Sequence, residues 1–352
     1  MAAPAKRYAR TVVLAAVAIL GVAVPAFFLA RALPASTERI RISFSELFVL
    51  LAVFLAFTIG MGMGMGSAIR LLRGTLRPNL RLAARKARLA RIWAGIFVLL
   101  VGLVLYARYL EPHWIAVREQ PVPLPGLREP LRLVIFSDLH SDNRFDLDAT
   151  VAERINQQNP DVLLFLGDSL NSPDRALAFR AALSSMHARY AKLAIRGNWD
   201  TWFWDDIDLF GGTGFVEINE GWREIHAGSN TLRLGAHAFL DDNRPDVAIG
   251  QVPPGDGPAI FLYHANDYVH AAAQAGVDLY LCGDTHGGQI QLPFWGALFS
   301  VGRLGRDFVR GSYREGPTRV HVTPGVGVER SLPLRLGVRP EITTLLLTPQ
   351  AG

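Results

Sequence analysis

The chain has 352 residues, 50% hydrophobic and 19% charged, with mean hydropathy +0.21, net charge +5 and a pI near 9.6. Soluble domains carry about a quarter charged residues, so this balance excludes a disordered or collagen-like chain and points to a membrane region. The single cysteine, Cys282, excludes an intrachain disulfide and any zinc site built on several thiolates.

Three uncharged apolar runs fill the first third: residues 11–30, 47–66 and 92–107. A helix needs roughly 20 residues to cross about 30 Å of hydrocarbon, so each run predicts a transmembrane helix. The third is short, but Arg91 and Arg108 can snorkel, and Trp93, Tyr106, Tyr109 and Trp114 suit the interfaces. Residues 11–30 also have the form of a signal peptide, but the run is long and a second span follows it. Cations crowd residues 67–91: Arg70, Arg73, Arg77, Arg81, Arg85, Lys86, Arg88 and Arg91, with no acid among them. Lys6, Arg7 and Arg10 precede the first run, while Arg31, Arg39 and Arg41 after it are offset by Glu38. Basic loops stay in the cytoplasm, which puts everything after residue 108 outside it. The basic excess is therefore a topology signal, and no nucleic-acid partner is expected. Residues 1–114 read as the membrane region, the Pro-rich residues 115–130 as a linker and residues 131–349 as a further domain.

In that domain LRLVIFSDLH (131–140) predicts a buried strand running into a polar loop, and residues 148–160 a helix ended by Pro160. DVLLFLGD (161–168) predicts another buried strand, residues 173–190 a helix, and AKLAIRGNWD (191–200) a strand entering a polar turn. Residues 212–238 predict β-hairpins, and residues 258–268, 278–290 and 318–326 further strands. Apolar strands alternating with helices argue a layered α/β fold. Such folds bind ligands beyond the C-terminal ends of their strands. There the chain carries Asp138 with His140, Asp168, Asn198, His264, and Asp284 with His286. These are oxygen and imidazole ligands suited to Mn²⁺, Fe²⁺, Zn²⁺ or Mg²⁺. No G-x-S-x-G elbow, Walker loop or Rossmann glycine fingerprint is present.

The ordered blocks SDLH, GDSLN, GNWD, YH and GDTHGG resemble the signature blocks of calcineurin-like metallophosphoesterases. The resemblance covers about residues 131–349 and implies a four-layer α/β/β/α sandwich with a dinuclear metal centre. The closing GVGVERSLPLRLGVRPEI (325–342) is similar to the bacterial membrane-associated branch, which includes phosphodiesterases and hydrolases of UDP-2,3-diacylglucosamine. It implies an inner-membrane protein acting on a phosphodiester or pyrophosphate bond, with lipid-linked substrates such as a lipid A precursor or a phospholipid the natural class for an anchored enzyme. Carried over by motif, Asp138, His140, Asp168 and His286 would hold one cation, and Asp168, Asn198, His264 and Asp284 the other. Mn²⁺ heads the expected metals, and a hydroxide bridging the pair would attack phosphorus in line. Asp168, Asn198 and Asp200 are the catalytic candidates.

Two positions depart from the family pattern. Trp199 stands where the family writes His after GN, and an indole cannot act as an acid, which leaves Asp200 as a weak candidate donor. Asp284 replaces the first His of GHTH and favours harder ions. Both departures motivate an alternative reading, a catalytically silent metal-binding membrane scaffold or sensor. Trp199, Trp202, Phe203 and Trp204 form a candidate acyl-binding lip, and Trp199, Arg335 and Arg339 are candidate substrate contacts. Residues 292–311, apolar but with Arg303, Arg306 and Arg310, read as either an interfacial anchor or an ordinary insertion. Asn171 reads as a supporting residue, and Cys282, in a buried strand, as packing.

Overall fold

The computed structural model describes residues 44–80, 82–239 and 244–350. The apolar run 11–30, the charges at Lys6, Arg7, Arg10, Arg31, Glu38, Arg39 and Arg41, and Arg81 lie outside the described residues. The chain divides into two compact units, one ending at Arg108 and one running from Tyr109.

The first unit contains helices α1 (Phe44–Leu76) and α2 (Ala84–Leu105). The helical stretches Val49–Leu76 and Ala84–His113 are long and apolar enough to cross a bilayer. Both helices outrun their apolar runs because arginine is a good helix former. Arg70 Nε donates to the Gly66 carbonyl at 3.0 Å and its Nη2 to Ser67 Oγ at 3.0 Å. The basic stretch therefore sits on two helix ends rather than in a long loop. α1 approaches α2 through small residues: a Cβ on Gly64 would stand 2.6 Å from the Trp93 carbonyl oxygen. Leu51, Leu55, Val98 and Leu99 are exposed, an apolar surface that suits lipid.

The second unit opens with β1 (Ala116–Leu124), β2 (Leu131–Phe136), α3 (Asp148–Asn156), β3 (Val162–Phe165), α4 (Ala176–Ser185), β4 (Ala191–Ala194), α5 (Asn198–Phe203) and β5 (Val216–Glu217). It continues with β6 (Glu220–Ala227), β7 (Asn230–His237), α6 (Pro245–Gly250), β8 (Ala259–Leu262), α7 (Val269–Gln274) and β9 (Leu279–Cys282). A small hairpin of β10 (Gln291–Leu292) and β11 (Gly296–Ala297) precedes β12 (Gly311–Glu315), β13 (Thr318–Val322) and β14 (Glu341–Pro349). These strands form two mixed 6-stranded sheets, ordered β1-β14-β2-β3-β4-β5 and β12-β13-β9-β8-β7-β6.

Side chains alternate across a strand, and that alternation sorts the core into layers. Leu131, Leu133, Ile135, Val162 and Leu164 meet Leu232, Leu234, Ile260, Leu262, Leu279 and Leu281 between the sheets. Val134, Phe136, Leu163 and Phe165 turn the other way, onto Val151 and Ile155 of α3 and Phe179 and Leu183 of α4. Phe261, Tyr263, Tyr280 and Cys282 face Ile249 of α6 and Val269 and Ala272 of α7. The result is an α/β/β/α sandwich. Because both faces of each central strand are covered, these strands read as continuous apolar runs.

The stretch expected as a linker is largely strand. β1 runs parallel to β14 from Ala116 opposite Glu341 to Leu124 opposite Pro349. It is an edge strand, the one place where Pro121 and Pro123 fit without breaking a ladder. Residues 173–190 are helical only over α4, with a 3₁₀ turn at Pro173–Arg175 before it.

Candidate metal centre

Strands β2, β3, β4, β8 and β9 each end in one of the polar blocks, and the loops that follow are laced together by backbone. Asp138 N donates to Gly167 O at 2.8 Å, His140 N to Asp168 O at 3.1 Å and Ser141 N to Ser169 O at 2.8 Å. Across the second sheet Gly283 N donates to His264 O at 2.7 Å. Asp138, His140, Asp168, Asp284 and His286 all adopt positive φ, between 43° and 65°. Left-handed backbone at non-glycine residues is uncommon and collects at functional sites. It aims successive side chains at one point. Gly167, at φ 100°, allows the approach: a Cβ there would lie 2.8 Å from His264 Nδ1.

Asp138, His140, Asp168 and His286 are buried and offer ligand atoms all within 4.8 Å of one another. His140 Nε2 lies 3.2 Å from His286 Nε2 and 3.5 Å from Asp168 Oδ2, and His286 Nε2 lies 3.5 Å from Asp138 Oδ1. His264 Nε2 joins from the other side, 3.3 Å from Asp168 Oδ2, 3.7 Å from Asp284 Oδ1 and 3.9 Å from Asp138 Oδ1. Asp168 is thus adjacent to both groups. Both Asp138 carboxylate oxygens, Asn198 Oδ1 and His264 Nε2 are buried without a hydrogen-bond partner among the described residues. Burying such groups unpaired is costly, and a divalent cation satisfies them together, so this donor set fits metal. His264 Nδ1 faces the Leu166 carbonyl at 2.6 Å, which orients the ring with Nε2 towards the cluster.

Burial pushes the Asp138 carboxyl up to about 7. Burial also acts to raise Asp168, but His264 and His140 beside it outweigh that and hold it below its ordinary value. His264 is the converse: Asp168, Asp138 and Asp284 overcome burial and lift it well above the usual imidazole range. Burial, with His140 and Arg335 nearby, drives His286 well below that range, and burial lowers His140.

Several sequence candidates take other positions. Asp200 is fully buried, and its oxygens accept backbone N–H from Asp168 at 2.9 Å, Ser169 at 2.8 Å and Gly197 at 3.0 Å. It therefore ties the β3 and β4 loops together and does not present a proton, correcting the expectation of a donor. Burial raises it only to about 6. Arg335 is fully buried, donating to Gly327 O at 2.8 Å and Pro324 O at 2.9 Å, with Nη2 3.4 Å from His286 Nδ1. It backs a ligand rather than reaching outward. Arg339 donates to the Trp114 carbonyl at 2.8 Å and stacks 4.1 Å above the Trp114 ring, which occupies its guanidinium.

Trp199 remains at the site. Its backbone N–H donates to Asp168 Oδ1 at 2.9 Å, its ring meets His140 edge-on at 5.6 Å, and its Nε1 is buried with no partner among the described residues. The expected aromatic lip splits. Trp204 Nε1 bonds the Leu170 carbonyl at 2.8 Å and Trp202 packs edge-on against Phe239, whereas Phe203 is exposed and sits 4.7 Å from Trp199. Asn171 Nδ2 donates to Val328 O at 2.9 Å.

One supporting group had no sequence motif. Arg175 Nη2 donates to Asp148 Oδ2 at 2.6 Å and Nε to Ser141 Oγ at 3.2 Å, while Ser141 Oγ donates to Asp148 at 2.9 Å. This network locks the loop carrying His140 to the turn after Asp168. Asp148 reads from the sequence as an ordinary first-turn helix acid, which is why it gave no signal.

Known proteins agree with this geometry. The calcineurin-like phosphoesterase family model matches residues 131–288. The uncharacterized metallophosphoesterase YkuE of Bacillus subtilis is 34% identical over 258 residues, covering 69% of this chain and 88% of that protein. The phosphodiesterase YaeI of Escherichia coli is 28% identical over 264 residues, 69% of this chain and 92% of that one. A transmembrane protein with metallophosphoesterase domain from Danio rerio is 30% identical over 262 residues, 67% of this chain and 58% of that one. With its strand-end ligands gathered on an α/β/β/α frame, the chain belongs to the calcineurin-like phosphoesterase family and is a metal-dependent phosphoester hydrolase.

Proposed function

We propose that the chain is a multi-pass membrane-anchored hydrolase with a dinuclear centre, Mn²⁺ first among its metals, that cleaves a phosphodiester or pyrophosphate bond in a lipid-linked substrate. The observation that carries the dinuclear reading is the set of buried side-chain atoms without a hydrogen-bond partner among the described residues on Asp138, Asn198 and His264, with His264 Nε2 3.3 Å from Asp168. Asp138, His140, Asp168 and His286 would hold one cation, and Asp168, Asn198, His264 and Asp284 the other. When bound, such a pair supplies a Lewis-acid clamp that acidifies water and neutralises developing charge on the phosphoryl group. The chain's own part is orientation. Asp200 and the Arg175–Asp148 pair hold the ligand loops, and Leu166 O holds the His264 ring.

Among the described residues the Trp199 position offers no acid in place of the family's histidine, so a leaving group of low pKa is favoured. The Trp199 indole can offer one hydrogen bond but no proton. Apolar helices α1 and α2 support the anchor, and the anchor supports a substrate met at the bilayer. The basic residues 67–91 support placing the catalytic unit outside the cytoplasm, and the resemblance to the bacterial membrane-associated branch supports inner-membrane residence.

The test is hydrolysis of bis(p-nitrophenyl) phosphate by the full chain in detergent, with Mn²⁺, Mg²⁺ and Zn²⁺ titrated separately. Metal-dependent turnover that Asp168→Ala abolishes is the expected result. A folded, metal-loaded protein without turnover on this diester or on phospholipid and nucleotide-sugar pyrophosphate substrates overturns it in favour of a silent metal-binding scaffold. A reporter fused after the C-terminus tests the sidedness, and cytoplasmic activity would refute it.

A further inference from the structure

The segment 289–300 carries no charged residue. It follows directly on His286 and forms the β10–β11 hairpin, whose tip is Pro293, Phe294 and Trp295. All three tip residues are exposed, and Phe294 is fully exposed at φ 65°. A bulky aromatic in left-handed backbone is strained, and here no burial within the unit offsets that strain. The tip is not a loose end. Gln291 Nε2 donates to Gly287 O at 3.1 Å, Leu298 N donates to Ile290 O at 2.8 Å, and Gln291 N donates to Leu336 O at 2.8 Å. The hairpin is therefore fixed to the turn that presents a metal-ligating histidine.

The Arg306 cation borders the apolar tip, and Arg303 and Arg310 stand in the same stretch of sequence. The Arg306 guanidinium stacks 4.8 Å from the Trp295 ring and also bonds its carbonyl. Arg303, with Nε 3.8 Å from Asp267, is exposed, and Arg310 lies four residues beyond Arg306. Asp307 is the one acid in residues 292–311. Exposed Phe and Trp beside arginine are the composition of an interfacial anchor: rings favour the headgroup boundary, and the cations favour anionic lipid.

From this juxtaposition we infer that the Phe294–Trp295 tip inserts into the headgroup region of an anionic bilayer and sets the His286 side of the site against the membrane surface. The inference rests on the membrane-anchored reading above, and deepens it by naming the surface that faces lipid. A protein partner would need no lipid to cover the same tip.

The native Cys282 is buried, so a cysteine introduced on the surface can be labelled selectively. Pro293→Cys carries a polarity-sensitive dye beside an intact Phe294, and the full chain is placed in nanodiscs of phosphatidylglycerol or of phosphatidylcholine. Leu99→Cys, exposed on α2, reports whether that helix lies in lipid. The expected result is blue-shifted emission at position 293 that doxyl-labelled lipid quenches, more strongly in phosphatidylglycerol. Adding Phe294→Asp returns the dye to an aqueous spectrum, while quenching at position 99 persists. Quenching at 99 with a water-like, unquenched dye at 293 in both lipids overturns the inference and leaves the anchor standing. Absence of quenching at both positions overturns the anchor as well. Quenching at 293 that survives Phe294→Asp also overturns it, since the tip would then lie near lipid without inserting.

Discussion

The two sheets contribute unequal halves to one site. The first sheet brings Asp138, His140, Asp168 and Asn198 on loops cross-braced by backbone bonds, by Asp200 and by the Arg175–Asp148 pair. The second brings His264, Asp284 and His286, with a small apolar hairpin shortly after and a buried arginine behind His286. The first half is braced by Asp200, whose carboxylate accepts the N–H groups of Asp168, Ser169 and Gly197. The second holds the departure at Asp284 and the segment exposed to the surroundings. The braced half supplies pre-organisation, and the other half is where metal preference and substrate access can vary.

Changes that strike both halves should be the most severe. Asp168→Ala removes the carboxylate that borders both groups and lies nearest His264, so turnover should fall to background and bound metal should be lost, as read by diester hydrolysis and metal analysis of the purified protein. Asp200→Ala strikes only the brace. Its three backbone donors lose their acceptor, and activity or metal affinity should drop about 10–100-fold, as outer residues of metal sites typically do. A variant with unaltered metal affinity and turnover would show that the first half does not depend on this brace.

Asp284→His acts on the second half without disturbing the first. The imidazole should move the activation order towards Zn²⁺ and away from Mg²⁺ while the melting temperature holds. An unchanged order would mean that Asp284 does not set metal preference. Arg175→Ala leaves buried Asp148 without its cation, and stability should fall by about 1.5–3 kcal/mol in denaturant titration.

A pH-dependent effect lies away from the site, on β13. Burial holds the His321 imidazole down at about 4 against an ordinary 6.5. A depressed imidazole contributes stability that is present above the unfolded value and lost as pH falls towards the folded one. The protein should therefore weaken between about pH 6.5 and about pH 4, and His321→Gln should flatten that part of the melting profile. A wild-type slope retained in the variant would assign the loss to other groups.

Much of the frame was legible because central strands covered on both faces are continuous apolar runs, and each ends in a polar block. The edge strand β1 was not legible, since Pro121 and Pro123 look like a linker unless β14, more than two hundred residues later, is known to lie beside them. The aromatic cluster at residues 199–204 shows the same limit: one short stretch sends Trp204 inward to Leu170 and leaves Phe203 exposed.

The sequence by itself determined which oxygen and imidazole side chains stand at the strand ends. Residue type and position at a strand end are local properties, and SDLH, GDSLN, GNWD, YH and GDTHGG carry them in order. Only the tertiary structure decided what Asp200, Arg335 and Arg339 do. A carboxylate or guanidinium is defined by its neighbours, and theirs are the backbone N–H groups of Asp168 and Ser169, the carbonyls of Gly327 and Pro324, and the Trp114 ring. Long-range packing brings those groups together, and no local pattern records it.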